Sequence, residues 1–215
     1  MPIFTVEFWS ILQLSLAVSG TAVLISSIVG IPCGVCLGLS KRRHIPSAII
    51  HTGMAMPPVV IGLLLYLLFS RSGPLSSLGW LFTPAAMITA QTILAFPFVV
   101  GITMNSVAAV PRELKDQIKS LGASDWQCRW TILREARHGV LLAIAAAFGR
   151  SISEVGAVLI VGGNIQGHTR VLTTAIVLET GKGEFALALA LGGALLSLAL
   201  LINLIILRIQ GRVTG

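Results

Sequence analysis

An arginine and a glutamate stand one helical turn apart inside an apolar run that extends from about residue 139 to residue 161. The i, i+4 spacing of Arg150 and Glu154 predicts an ion pair, because an unpaired charge inside a membrane is costly. One interpretation is a structural pair that fixes helix packing. Another is that Arg150, with the hydroxyl groups of Ser151 and Ser153, lines a path for an anion, since all three donate hydrogen bonds. A third assigns Glu154 to a gate at a subunit interface.

Polar groups also occur in a second apolar run and in the stretch that follows Arg150. Thr103 and Asn105 lie within the run at about 84–110 and are candidates for the same path or its gate. The stretch from residue 162 to residue 183 is rich in glycine and polar donors, and we predict a loop there.

No group of residues is spaced for catalysis, metal binding or nucleotide binding. The histidines are scattered, and we interpret the three cysteines, Cys33, Cys36 and Cys128, as small packing residues because no second ligand pair accompanies them. The run 181–183, Gly-Lys-Gly, lacks the upstream glycine and the hydroxyl of a phosphate-binding loop. We therefore expect no catalytic residue, metal site or cofactor on this chain, and any ATP-driven step would need a separate subunit.

The composition is that of an integral membrane protein. Of the 215 residues, 55% are hydrophobic and 11% are charged, against about 25% charged residues in soluble domains. The net charge of +7 does not indicate nucleic-acid binding, because the basic residues lie in loops between apolar runs. The N-terminus lacks the basic segment of a cleavable signal peptide, so we expect the first apolar run to act as its own insertion signal.

Five apolar runs predict five membrane spans within a single domain of residues 9–208. Each run is long enough to cross a hydrocarbon layer of about 30 Å. Pro57 and Pro58 lie within the second run and predict a break near its middle. The runs are about 9–39, 46–69, 84–110, 139–161 and 184–207.

The lysines and arginines predict an N-terminus outside and a C-terminus in the cytoplasm. This orientation leaves only Arg71, Arg170 and Lys182 outside, with Arg150 within a span. It places 11 of the 15 basic residues inside, at 41–43, between 112 and 137, and at 208 and 212.

The segment 111–138 is the only long polar stretch of the chain, and it falls on the cytoplasmic side. Its apolar residues form two stripes spaced i, i+4, i+7, which predict two short helices with exposed apolar faces. Gly122 predicts the break between them, and Ser124 with Gln127 predicts a capping box. Such a hairpin is the right size to dock in a groove of a soluble partner. The stripes are Leu114, Ile118 and Leu121, and then Trp126, Trp130 and Leu133.

This segment resembles the cytoplasmic EAA loop of ABC importer permeases, in which Glu-Ala-Ala is followed by Leu-Gly-Ala-Ser and then by a Leu-Pro pair. Glu113 and the run 121–124 match, whereas 114–115 replaces the alanines and Arg134 replaces the proline. The resemblance implies the ABC type I importer permease fold, with coupling helices that sit in a cleft of an ATPase carrying ATP and Mg. The expected coupling residues are Glu113, Leu114, Ile118, Leu121, Gly122, Ala123, Ser124 and Trp126.

A second set of motifs resembles the permeases of tungstate importers, which are relatives of the molybdate and sulfate permeases. These motifs occupy 153–157, 162–165, 169–170, 172–176 and 179–180, and the likeness extends over most of the chain from about residue 57. It implies an extracytoplasmic binding protein that delivers the oxyanion. By this resemblance Gly163, Asn164, Thr169 and Arg170 dock that protein or border the outer opening.

We therefore expect an all-α permease subunit that imports an oxyanion, tungstate first and molybdate or sulfate as alternatives, by alternating access across a bacterial or archaeal plasma membrane. The expected partners are a second copy, an ATPase dimer, an oxyanion-binding protein and membrane lipid, with no nucleic acid. Two other classes stay open. An ATP-independent channel or secondary transporter leaves the exposed apolar stripes unexplained, and a membrane anchor without transport has no need for two charges within a span.

Overall fold

The computed structural model describes residues 2–40 and 44–214, and within these ranges every long element is an α-helix. The all-α prediction is confirmed. The basic residues at 41–43, which we predict to face the cytoplasm, lie outside the described residues. The helices are α1 Pro2–Leu39, α2 His44–Met54, α3 Pro58–Phe69, α4 Pro84–Ala108, α5 Arg112–Ser120, α6 Asp125–Glu135, α7 Arg137–Ile152, α8 Gly156–Gly162, α9 Leu172–Gly181 and α10 Phe185–Thr214.

The most extensive helix contact joins α1 and α4. Gly30, Gly34 and Gly38 lie four residues apart on α1, and all three face α4. A methyl group added at Gly34 would lie 2.7 Å from Cβ of Thr103 and 2.9 Å from the carbonyl oxygen of Val100. The two backbones therefore approach each other closely, as small residues at this spacing permit in membrane helices.

Three helices, α1, α4 and α10, are each long and apolar enough to cross a bilayer, and the count of five is reached only if two bent pairs are each taken as one span. The second predicted span is such a pair, because α2 and α3 meet at 88°. The break at the two prolines is thus confirmed. With 12 residues, α3 alone is about 18 Å long, which is too short for the hydrocarbon layer.

The fourth predicted span contains a break that nothing in its own sequence predicts. α7 ends at Ile152, α8 begins at Gly156, and the two are bent by 57°. The prediction of a loop over 162–183 is wrong for its second half, which forms α9. The polar residues of this segment led to the prediction of a loop, but the segment forms a helix that packs on α10 and buries Leu172 and Ala175.

Among the described helices, α4 makes contacts with α1, α2, α3, α7 and α8 and so lies near the centre of the bundle. By contrast, α10 lies at the edge of the bundle. Only 11% of the residues in its most apolar 18-residue stretch are buried. Leucines of α3 and α10, such as Leu63 and Leu189, are exposed. An apolar outer surface suits helices that face lipid or another membrane subunit.

The α1/α4 contact predicts a matched pair of substitutions on one helix. Gly34→Ala forces a methyl group against the backbone of α4, and overpacking of this kind costs about 1–3 kcal/mol. A methyl group at Gly20, on the same helix, would meet no heavy atom within 4 Å. We expect Gly34→Ala to lower the melting temperature in detergent and Gly20→Ala to leave it unchanged or raised, since alanine favours helix. Equal melting temperatures would contradict this close contact.

Candidate functional site

The helices α5 and α6 form the predicted hairpin. Gly122 joins them with a φ of +80°, in the left-handed region that favours glycine. The hydroxyl oxygen of Ser124 accepts a hydrogen bond from the backbone N–H of Gln127 at 3.3 Å, and the side-chain oxygen of Gln127 accepts from the N–H of Ser124 at 2.8 Å. The predicted break and capping box are both confirmed.

One side of the hairpin anchors it to the rest of the subunit. Ile118 and Ile132 are buried and pack with residues from the ends of α1 and α4. The prediction of two exposed stripes is therefore wrong for Ile118, and Leu114 and Leu133 are only partly exposed, because each short helix buries one face against the subunit. The cluster contains Val35, Val107, Val110, Ile118, Cys128, Ile132 and Ala136, with Leu114, Ala123 and Leu133 partly buried against it.

The other side of the hairpin carries large apolar side chains that stay exposed. The exposed fractions are 86% for Leu121, 73% for Trp126 and 53% for Trp130, and we call these three residues the hairpin contact surface. Burying a large apolar side chain stabilises by about 1.5–3 kcal/mol, so this surface favours a partner. Glu113 and Gly122 are also exposed on the hairpin.

Arg150 and Glu154 form the predicted ion pair. Nη1 of Arg150 lies 2.6 Å from Oε2 of Glu154, and the side chains are 26% and 4% exposed. Because α7 ends at Ile152, the pair crosses the end of α7 and does not lie on one continuous helix, as the i, i+4 argument assumed. The arginine reaches the surface, and the carboxylate lies behind it.

Side chains from three parts of the chain bind the backbone groups that the break in the fourth span frees. Oε1 of Glu154 accepts from the N–H of Ala157 in the first turn of α8 at 3.1 Å. Gln91 of α4 donates its amide to the carbonyl of Ser151 at 3.0 Å, and Thr173 of α9 donates its hydroxyl to the carbonyl of Glu154 at 2.9 Å. Irregular backbone at membrane depth needs such partners. Glu154 therefore both pairs with Arg150 and caps α8.

The other residues predicted for the path divide between the interior and the surface. Thr103 packs against Gly34 in the α1/α4 contact, and Ser151 is 2% exposed. Neither reaches a surface of this subunit, so the expectation that they line a path is wrong for this conformation. Ser153 is exposed and donates its hydroxyl to the carbonyl of Gly149 at 2.8 Å. Asn105 is exposed and lines a cavity of about 450 Å³ at the hairpin end of α4.

Among the outer residues, Thr169 shapes the loop instead of facing solvent. It is fully buried, and its hydroxyl oxygen accepts from the N–H of Ile165 and donates to the carbonyl of Gly162. Gly163 is exposed, with a φ of +70°. A docking role for Thr169 through direct contact is therefore wrong.

Arg170 ties the outer loop to α1. Its Nε donates to Oδ1 of Asn164 at 3.3 Å, and its Nη1 lies 3.2 Å from a carboxylate oxygen of Glu7. Asn164 and Arg170 are both half-buried. They keep part of their surface on the outer face of the subunit, so their assignment to docking stays a prediction.

Sequence reasoning missed the partners of these residues. Gln91 is an amide within an apolar run, which is a usable signal for a buried hydrogen bond. Glu7 lies ahead of the predicted first span, and Thr173 lies in a predicted loop. Nothing in the local sequence of either residue points to its distant partner.

Nearly the whole chain matches one known protein family. The family model described as "Binding-protein-dependent transport system inner membrane component" matches residues 11–215. The chain belongs to this family. This permease is thus a transport component, and its family and its apolar helices agree with the predicted location in the plasma membrane.

Two curated relatives cover nearly the whole permease. The "Probable anion ABC transporter permease protein" of Haloferax volcanii is 43% identical over 213 residues, which is 96% of this chain and 92% of that protein. The "Tungstate uptake system permease protein TupB" of Peptoclostridium acidaminophilum is 40% identical over 209 residues, again 96% and 92%. Both are permease subunits by name.

A solved structure shares the fold. The inward-facing MetNI methionine ABC transporter aligns with a TM-score of 0.77 at 21% identity, over 94% of both chains. The predicted ABC importer permease fold is therefore confirmed.

The ion pair predicts a specific pattern of stability. Glu154→Gln leaves Arg150 without its carboxylate, and removing one partner of a buried pair costs about 3–5 kcal/mol. The double variant Arg150→Gln with Glu154→Gln removes both charges, and we expect it to regain most of the lost melting temperature. Lys182→Gln, which removes an exposed pair with Glu179, serves as the control and should cost less than about 1 kcal/mol. A Glu154→Gln protein as stable as wild type would contradict the pairing.

Proposed function

We propose that this permease is the membrane-spanning subunit of an ATP-driven importer that moves an oxyanion, tungstate, into the cell. The observation that carries the proposal is an anchored hairpin whose contact surface is left exposed. The name of the Peptoclostridium relative, a tungstate uptake permease, supports the choice of tungstate. Molybdate and sulfate are tetrahedral dianions of similar shape, so selection among the three belongs mainly to the binding protein.

Energy comes from a separate ATPase dimer that binds ATP and Mg²⁺, and this chain holds no cofactor. Each ATPase subunit grips one hairpin through Leu121, Trp126 and Trp130. Exposed Glu113 and the backbone around Gly122 and Ser124 supply polar contacts at the same place. Helix-in-groove docking of this kind uses a few apolar anchors.

Two copies of the chain form the pathway around a two-fold axis. One copy exposes apolar surface on α3 and α10, and a closed two-fold pair is the commonest symmetric arrangement. ATP-driven closure of the ATPases draws the two hairpins together. Because Ile118 and Ile132 fix each hairpin to α1 and α4, the bundles rock as rigid bodies and expose the path to alternate sides.

Arg150 is the cationic group of the path in this proposal. Its Nη1 holds Glu154, and a guanidinium carries five N–H donors, so Nε and Nη2 are the donors that a passing dianion meets. Ser153 lies exposed beside it. Glu154 keeps α8 in place and acts at the gate, and Asn105 borders the inner opening.

The outer loop receives the oxyanion-binding protein. Gly163, Asn164 and Arg170 reach the surface there, and the Arg170–Glu7 pair holds the loop against α1. Thr169 contributes only by fixing the loop shape.

The test is ATP-dependent uptake of tungstate in proteoliposomes that contain the permease, its ATPase and its binding protein. Trp126→Ala with Trp130→Ala removes most of the hairpin contact surface, and we expect uptake to fall at least about tenfold, since two lost apolar anchors of about 1.5–3 kcal/mol each weaken ATPase docking. Melting temperature should change little, because both side chains are exposed.

The matched control is Trp9→Ala, which removes an exposed tryptophan at the other end of α1 and should leave uptake unchanged. Uptake that persists without the ATPase would overturn the proposal in favour of a channel or secondary transporter. No uptake of any of the three dianions by the complete system would favour a membrane anchor.

A further inference from the structure

A cavity of about 900 Å³ lies at the hairpin end of the bundle, apart from the hairpin contact surface. Gly38, Leu39 and Ala108 line it, and these are the last residues of α1 and α4. The cavity therefore opens where two membrane helices end, at the depth of lipid headgroups. None of the three residues of the hairpin contact surface lines it.

The two hairpin helices turn charged faces into this cavity. Arg112, Lys115 and Lys119 lie on one face of α5, and Arg129 enters from α6. Asp116 and Asp125 also line the cavity, so four cations face two carboxylates and the lining carries a net charge of +2.

The cations are not neutralised by ion pairs within the described part of the chain. The ion pairs found in that part of the chain do not include any of the four cations of the cavity. Lys115 donates to the carbonyl of Val107 at 3.4 Å, and Arg129 lies 3.8 Å from Sγ of Cys36. These partners are uncharged and the contacts are long, so the positive charge remains available to an anionic ligand.

We propose that this cavity binds the headgroup phosphate of an anionic phospholipid. Basic pockets between membrane helices on the cytoplasmic side suit such headgroups, and the apolar side chains of Leu39 and Ile132 beside the cations suit the start of the acyl chains. The cavity volume of about 900 Å³ is far more than a lone tetrahedral ion fills. Because the binding is a property of the permease alone, it does not depend on the proposed transport function.

The experiment counts lipids bound to the purified full-length permease by native mass spectrometry during titration with phosphatidylglycerol or phosphatidylcholine. Lys119→Gln with Arg129→Gln removes one cation from each helix. Each basic group near an anionic lipid contributes about fivefold, so we expect the affinity for phosphatidylglycerol to fall roughly 25-fold. The matched control, Arg134→Gln with Arg208→Gln, removes two exposed cations outside the cavity lining and should bind like wild type.

Three outcomes overturn the proposal. Equal phosphatidylglycerol binding by both double variants removes the cavity as the site. Displacement of the lipid by tungstate or inorganic phosphate assigns the cavity to a free oxyanion. Unchanged lipid binding together with loss of ATPase co-purification in Lys119→Gln/Arg129→Gln assigns it to the partner protein. Melting temperatures of both variants in lipid-free detergent show that they are folded.

Discussion

The close approach of α1 and α4 links the hairpin to the break in the fourth span. Gly34 lets the helices meet at a distance that no side chain would allow. At one end of this pair Val35 and Val107 receive the buried face of the hairpin. Toward the other end, Gln91 binds the backbone at the break of the fourth span. Gln91 and Val107 are 16 residues apart on α4, or about 24 Å, so one helix connects the hairpin to the ion pair.

At the break between α7 and α8, the same residues have a structural role and the proposed transport role. An interrupted helix in a membrane must satisfy its freed backbone groups, and Glu154 does this for α8 while neutralising Arg150. A change of partner at Glu154 would therefore alter both the charge at the subunit surface and the support of α8. This double role links the structural, path and gate interpretations of the pair.

The hairpin and the ion pair could be predicted from local sequence, because both depend on residues that are close together in the chain. The left-handed turn at Gly122 and the capping of α6 by Ser124 follow from residue types a few positions apart. The break after Ile152 does not, because its hydrogen-bond partners, Gln91 and Thr173, come from distant parts of the chain. The burial of a side chain could not be predicted either. The polarity of Thr103 suggested that it lines a path, but the residue is enclosed where α4 meets Gly34 of α1. The same limit applies to the hairpin, since only tertiary packing separates buried Ile118 from exposed Leu121.

In the proposed mechanism, the hairpin contact surface is the place where the ATPase binds, and the α1/α4 pair transmits its movement to the membrane bundle. The most direct measurement is photo-crosslinking from benzoylphenylalanine placed at position 121 in the assembled transporter, with the product identified by mass spectrometry. The account predicts a crosslink to the ATPase subunit that changes in yield between nucleotide-free and ATP-bound states. Crosslinks only to lipid or to the permease itself would contradict it.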